Sequence, residues 1–153
     1  MTVTTVGSDT FESDTIILIR DFIRDNLTDP ISGTRQTKSK FVMTSYPQRP
    51  VQYPLVTIKA MDFSSKKLGM QSTAQQMSMS IEIRIWARNV KERAELNQSL
   101  HTLLRENQFE ATGPSNTNNL HNFDLISSIE IDEEGQRGIK SKVNTYQYFA
   151  IIT

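Results

Sequence analysis

Residues 77–87, Met-Ser-Met-Ser-Ile-Glu-Ile-Arg-Ile-Trp-Ala, alternate between apolar and polar side chains. Every odd position is apolar, and the even positions are polar until Trp86. Because successive side chains of a β-strand point to opposite faces of a sheet, the pattern predicts a long strand with one apolar and one polar face. A sheet that leaves a whole face uncovered is typical of a protein that works as part of an assembly.

Length and composition limit the classes of protein that this chain can belong to. Its 153 residues are enough for a single domain that buries roughly 70% of its unfolded surface. Lysine plus arginine and aspartate plus glutamate are equal in number, at 17 each, which does not favour a general nucleic-acid binder. The absence of cysteine excludes disulfides and thiolate metal sites. We expect no membrane span and no signal peptide, and therefore a soluble protein assembled in the cytoplasm.

Two segments carry apolar residues at helical spacing. The first ends near Asn26, where Asp25-Asn26 and a later Asp-Pro pair stop it, and Asp9 or Ser13 is the expected N-terminal cap. The second covers residues 90 to about 107 and is expected to begin at an Asn89 cap.

Extended patterns surround the second helix. Residues 55–63 predict a strand that pairs with 77–87 through a polar connection at 64–72. Residues 123–131 and 142–152 predict a second hairpin around a charged turn. We therefore expect one α+β domain over residues 1–153, an antiparallel sheet of about four main strands with two helices on one face, in the order α-β-β-α-β-β.

Two segments have no clear place in this plan. Residues 1–10 are small and polar and predict a loose N-terminal arm. Residues 28–53 form a long loop, in which residues 41–43 could make a short strand. Loops of this length are uncommon in compact domains unless they are functional or disordered. The loop is either a solvated excursion or an arm that clasps a neighbouring subunit through Arg35, Lys38 and Lys40.

Two further features are candidates for interaction with proteins. Lys66 and Lys67 are expected at the hairpin tip, where they are either solvated or in contact with an acidic rim on a partner. Trp86 interrupts the polar face of the main strand. Tryptophan is enriched at interface centres, but packing against a helix or the long loop explains Trp86 equally well.

Residues with catalytic or metal-binding chemistry are sparse. His101 and His121 lack the partners and spacing of a zinc site. The acidic run Asp132-Glu133-Glu134 is most simply a soluble turn, and the sequence has no phosphate-binding loop or nucleophile elbow. We expect no catalytic, cofactor or metal site, and no enzymatic activity.

Two stretches carry a family resemblance. The sequences YPLVTIK at 53–59 and SIEIRIWARNVKERAELNQSL at 80–100, together with the order of elements from 14 to 152, resemble phage tail terminator proteins and the related tail-completion or head-tail joining proteins. The resemblance implies a structural virion protein of the neck. It would form a homo-oligomeric ring, usually a hexamer, that caps the tail tube, stops its polymerisation and meets the head connector or adaptor, while DNA passes through the lumen without specific binding.

Under this resemblance the hairpin supplies the surface that docks on the tail tube or connector. Its candidate residues are Lys66, Lys67, Leu68, Gly69, Met70 and Gln71, and the intersubunit candidates are Arg35, Lys38, Lys40 and Trp86. The alternative hypothesis is a small ferredoxin-like nucleic-acid-binding or regulatory domain that uses the polar sheet face.

Overall fold

The computed structural model describes residues 10–35, 40–45, 52–71, 73–106, 120–132 and 139–152. This part of the chain forms two helices and five strands. In chain order they are α1 Phe11–Asn26, β1 Val42–Met43, β2 Leu55–Lys67, β3 Gln75–Ala87, α2 Val90–Glu106, β4 Leu120–Asp132 and β5 Lys140–Ile152.

The strands form one sheet in the order β1-β2-β3-β5-β4. The expected pairs β2–β3 and β4–β5 are antiparallel, and β3 and β5 join them in the middle of the sheet. The prediction of four strands was wrong by one, because β1 in the long loop adds a short parallel edge to β2. The observed order is therefore α-β-β-β-α-β-β.

The first hairpin is longer than its alternation predicted. β2 continues four residues past Phe63, and its last residues, Lys66 and Lys67, pair with Gln76 and Gln75 of β3. The two lysines therefore belong to the strand, which corrects their placement at the hairpin tip. Backbone pairing needs no apolar side chains, so a polar strand end carries no periodic signal.

The apolar face of β3 is the centre of the core, as its alternation predicted. Met79, Ile81, Ile83 and Ile85 are almost completely inaccessible to solvent. They join one cluster with residues of both helices, including Ile19, Ile23, Leu96, Leu100 and Leu104. Both helices therefore cover the same face of the sheet, and the other face has no helix on it within the described residues.

β5 contributes an aromatic layer to this core. Tyr146 and Tyr148 are paired with Ile81 and Met79, so their rings lie on the helix-covered face. Phe123 of β4 stacks on both rings, with centroid distances of 5.2 and 5.4 Å. Burial raises the pKa of both tyrosine hydroxyls well above their usual range, so both remain neutral and act as core residues.

The helix starts differ in how well they were predicted. α1 begins at Phe11, so Ser13 lies inside its first turn and is not the cap; Asp9 is outside the described residues. α2 is capped as expected, because the Asn89 Oδ1 accepts a hydrogen bond from the Glu92 backbone N–H at 2.8 Å. Glu92 in turn accepts from the Arg88 backbone N–H at 3.0 Å, which satisfies a second donor at the start of the helix.

Replacing Asn89 with alanine should lower the free energy of unfolding by about 1 kcal/mol, because the substitution leaves a helix N–H without its side-chain acceptor. Urea unfolding followed by circular dichroism measures this change. Ser99→Ala, at an exposed position of the same helix, is the matched control and should cause no loss.

The Arg88–Glu92 pair should make a small, pH-dependent contribution to stability. Hydrogen bonding to Arg88 lowers the Glu92 pKa below its ordinary value of 4.5. A lowered carboxylate pKa adds stability above the unfolded-state pKa, and this stability is lost as the pH falls through the folded-state pKa. Because Arg88 is exposed, solvent weakens the pair. We therefore expect the free energy of unfolding of wild type to exceed that of Glu92→Gln by less than about 1 kcal/mol at pH 7.

Urea unfolding of both proteins at several pH values tests this. The difference in unfolding free energy should shrink as the pH falls below 4.5. A difference that stays constant down to pH 2 would contradict the assignment.

Candidate interaction surfaces

The end of the first hairpin, residues 66–71, is exposed throughout. The Leu68 N–H donates to the Ala74 carbonyl at 3.1 Å and closes the turn, while Met70 projects with 98% of its surface exposed. Lys66 pairs with Gln76 on the uncovered face, whereas Lys67 lies on the helix-covered side. The hairpin end thus combines two amines, directed to opposite sides, with an apolar tip.

The uncovered face of the sheet is polar along β3. Lys59 of β2 lies opposite Glu82 of β3, so neighbouring charges on this face alternate in sign. A shallow cleft of about 230 Å³ farther along the face is lined by Gln76, Asp124 and Gln147, among others. Proteins that bind nucleic acid usually present a stripe of positive charge, so this mixture gives no support to the RNA-binding alternative, which stays an untested hypothesis.

Trp86 lies at the end of this face and is 7% exposed. Its Nε1 donates to the Thr57 Oγ1 at 3.1 Å, and the Arg84 guanidinium lies over its ring at 3.9 Å from the centroid. Arg84 also donates to the Ser141 Oγ at 3.1 Å. The ring therefore packs within its own subunit, and an intersubunit contact of Trp86 stays a prediction with little surface available to it.

Arg35 lies inside the long loop and is 8% exposed. Its Nε is 2.5 Å from the Asp29 carboxylate, and its Nη1 donates to the Gln52 carbonyl at 3.0 Å. The guanidinium also donates to the Pro54 carbonyl and lies 5.0 Å from the Phe41 ring centroid. Arg35 therefore ties the start of the loop to its end next to β2.

The other two intersubunit candidates in the long loop are Lys38 and Lys40. Lys38 lies outside the described residues, and Lys40 is exposed. A contact between Arg35 and a neighbouring subunit is untested, but the observed role of its guanidinium is to hold the loop.

Arg35→Ala should lower the free energy of unfolding by about 3 kcal/mol, because it leaves a largely buried Asp29 carboxylate without its partner. Lys40→Ala, which removes an exposed cation from the same loop, should change stability by less than about 0.5 kcal/mol. Denaturant titrations of the two variants and wild type make the comparison. Equal small effects would show that the Arg35 contacts are not important for stability.

Both edges of the sheet carry exposed apolar residues. β1 pairs only with Val56 and Thr57, and the Phe41 carbonyl accepts from the Val56 N–H at 2.8 Å. No described residue pairs with the outer edge of β2 beyond Thr57. A groove of about 750 Å³ beside this edge is lined by residues of α1 and by Thr44 and Phe63. On the opposite edge, β4 exposes Leu125, Ile126 and Ile129.

The distribution of apolar residues on β4 differs from the one that its alternation predicts. Alternation over residues 123–131 predicts a single apolar face, but register shifts after His121 and after Leu125 divide the strand. Phe123 is buried, whereas Ile126 and Ile129 are each 57% exposed. The adjacent apolar pair Leu125-Ile126, which breaks the alternation, was the available signal.

The described part of the chain has neither a cluster of metal-binding side chains nor a helix that could cross a membrane. Its histidine, aspartate and glutamate side chains form no group of three or more that could hold a metal ion. His101 is half-buried in α2, and Asp132 ends β4, while Glu133 and Glu134 lie outside the described residues. Neither described helix combines the length and apolar content that crossing a bilayer requires.

Comparisons with known proteins identify a similar fold. No family model and no curated protein matches the chain. A chain of a solved structure described as "Virion of native gene transfer agent (GTA) particle" has a TM-score of 0.52, with 86% of this chain and 92% of that chain covered. The two sequences are 9% identical, so the likeness is one of fold.

Proposed function

We propose that the protein is a structural component of a long-tailed phage or phage-like particle and acts in assembly, not in catalysis. Its subunits form a closed ring at the neck, which caps the tail tube, stops polymerisation of the tube and joins it to the head connector or adaptor. The observation that carries this proposal is the fold shared, over nearly the full length of both chains, with a chain of a virion particle.

The open sheet supports assembly into a ring. Edge strands with unpaired backbone groups and exposed apolar residues are prone to associate, and proteins normally cover them. Contacts between two different surfaces of the same subunit generate a closed ring when the rotation between neighbours divides a full turn evenly. The two sheet edges of this subunit are different surfaces of that kind.

The hairpin end supports docking on the tail tube or connector. It places Met70 and Leu68 at the tip and Lys66 and Lys67 just behind them, all exposed. An apolar tip with flanking amines fits a shallow apolar site rimmed by acidic residues. The zero net charge of the chain suits a conduit through which DNA passes without being held.

The purified protein should form discrete rings, alone or on the ends of tail tubes, because the exposed apolar edges favour association. Negative-stain images and mass photometry over a range of concentrations test this expectation. Monomers at every concentration, unchanged by the addition of tube protein, would contradict the proposal.

Leu68→Ser combined with Met70→Ser should leave the ring intact and abolish tail joining, because both side chains project from the end of the hairpin. The yield of joined particles in an assembly assay is the readout, with at least a tenfold loss expected. Val90→Ser, another exposed apolar side chain but on α2, is the control and should join normally. Normal yields from the double variant would refute the docking role of the tip.

A further inference from the structure

The outer edge of β2 can accept another strand. Beyond the two residues covered by β1, the strand runs from Ile58 to Lys67 with no further partner on that side among the described residues. Alternate residues of an edge strand direct their backbone N–H and C=O groups away from the sheet. No described residue covers these backbone groups, and an incoming segment could pair with them beside the groove.

The groove beside β2 has a mixed lining, in which apolar side chains stand among polar ones such as Glu12 and Arg20. Ile16 and Ile17 of α1 contribute to it, together with Phe11, whose ring centroid is 5.7 Å from that of Phe63. Phe63 is also among the exposed apolar residues of the subunit. A strand placed along this edge would cover Phe63 and could direct apolar side chains into the groove.

The outer edge of β4 has the matching properties. It pairs only with β5 among the described strands, and Ile126 and Ile129 are exposed on it. β4 and β2 are each 13 residues long. Among the residues whose side chains the structure describes, the large exposed apolar ones other than Val90 and Ile151 all lie on β2, on the loop that follows it, or on β4.

The charges of the two edges are complementary. The free part of β2 contains three lysines and one aspartate, whereas β4 contains Asp124, Glu130 and Asp132 and no lysine or arginine. Glu130 is 59% exposed but already lies 3.1 Å from Arg93 and 3.7 Å from Lys142 of its own subunit, so Asp124 and Asp132 carry most of the complementarity. Like charges directly opposite each other destabilise strand pairs, and opposite charges stabilise them. Pairing of β2 with β2 or of β4 with β4 is therefore disfavoured, and pairing of β4 with β2 of another copy is favoured.

From these properties we propose that β4 of one subunit pairs with the free part of β2 of the next, so that one continuous sheet runs around the ring. This inference rests on the proposed function, because it names the interface by which that ring closes. β4 runs antiparallel to β2 within the subunit. A rotation about an axis along the strands preserves strand direction, so the new pair is antiparallel as well.

Cysteine cross-linking tests the interface in a chain that has no cysteine of its own. Ser64→Cys on β2 is combined in turn with Asp124→Cys, Ser127→Cys or Ile129→Cys on β4, all of which lie on the uncovered face by register. Directly opposed residues of an antiparallel pair have Cα atoms about 4.5–5.5 Å apart, within the range that a disulfide spans. The three positions on β4 lie in the middle of the strand, and each tests one register.

Mild oxidation should convert at least one double variant into a ladder of covalent oligomers that ends at the ring size. Each single-cysteine variant should remain uncross-linked. Rings in negative stain without a cross-link in any double variant would overturn the strand pairing and leave the proposed function standing. Absence of rings, with no ladder, would instead count against the proposed ring itself. A dominant dimer from Ser64→Cys alone would mean a two-fold β2 contact and would overturn the inference.

A second measurement does not depend on disulfide geometry. Ile126→Lys combined with Ile129→Lys places two charges on exposed positions of β4. The protein concentration needed for ring assembly should rise at least tenfold. Val90→Lys, at a similarly exposed apolar position on α2, should assemble as wild type does. Unchanged assembly of the β4 variant, with circular dichroism showing the native fold for both, would also overturn the proposal.

Discussion

The structure depends on the double pairing of β3. This strand is hydrogen-bonded to β2 on one side and to β5 on the other along its whole length, while its apolar face fills the space beneath both helices. Ile81, Ile83 and Ile85 are fully buried, and burial of each side chain stabilises the fold by roughly 1.5–3 kcal/mol. The same pairing holds the two hairpins together, so the position of each sheet edge follows from β3.

The sequence predicted those parts of the fold in which side-chain pattern and backbone structure agree. β3 alternates because one of its faces is buried, and α2 begins directly after Asn89 because the first turn of a helix needs a side-chain acceptor there. A short strand at 41–43 was predicted as possible and is β1, but its parallel pairing with β2 carries no periodic pattern and was not predicted. The polar end of β2 was missed for the same reason. The register shifts in β4 leave one sign in the sequence, the adjacent apolar pair Leu125-Ile126 that interrupts the alternation.

The candidate surfaces were predictable to a smaller extent. Exposure of Met70 and the neighbouring lysines follows from their polar surroundings in sequence. Trp86 and Arg35 could not be assigned from sequence, because an aromatic or cationic side chain serves an interface and an internal contact equally well. Thr57 and Arg84 cover Trp86, and Asp29 with two carbonyl groups satisfies Arg35. The complementary charges of β2 and β4 could not be related to each other from sequence, because only the sheet order places these two strands at opposite edges.

The contact between Thr57 and Trp86 also has a practical consequence. Trp86 is the only tryptophan of the chain, and it lies where β2 meets β3, beneath a guanidinium group. Its fluorescence emission is therefore a built-in optical reporter for the junction of those two strands. Separation of the strands would move the indole from a shielded to an aqueous environment and shift its emission to longer wavelength, without any attached dye.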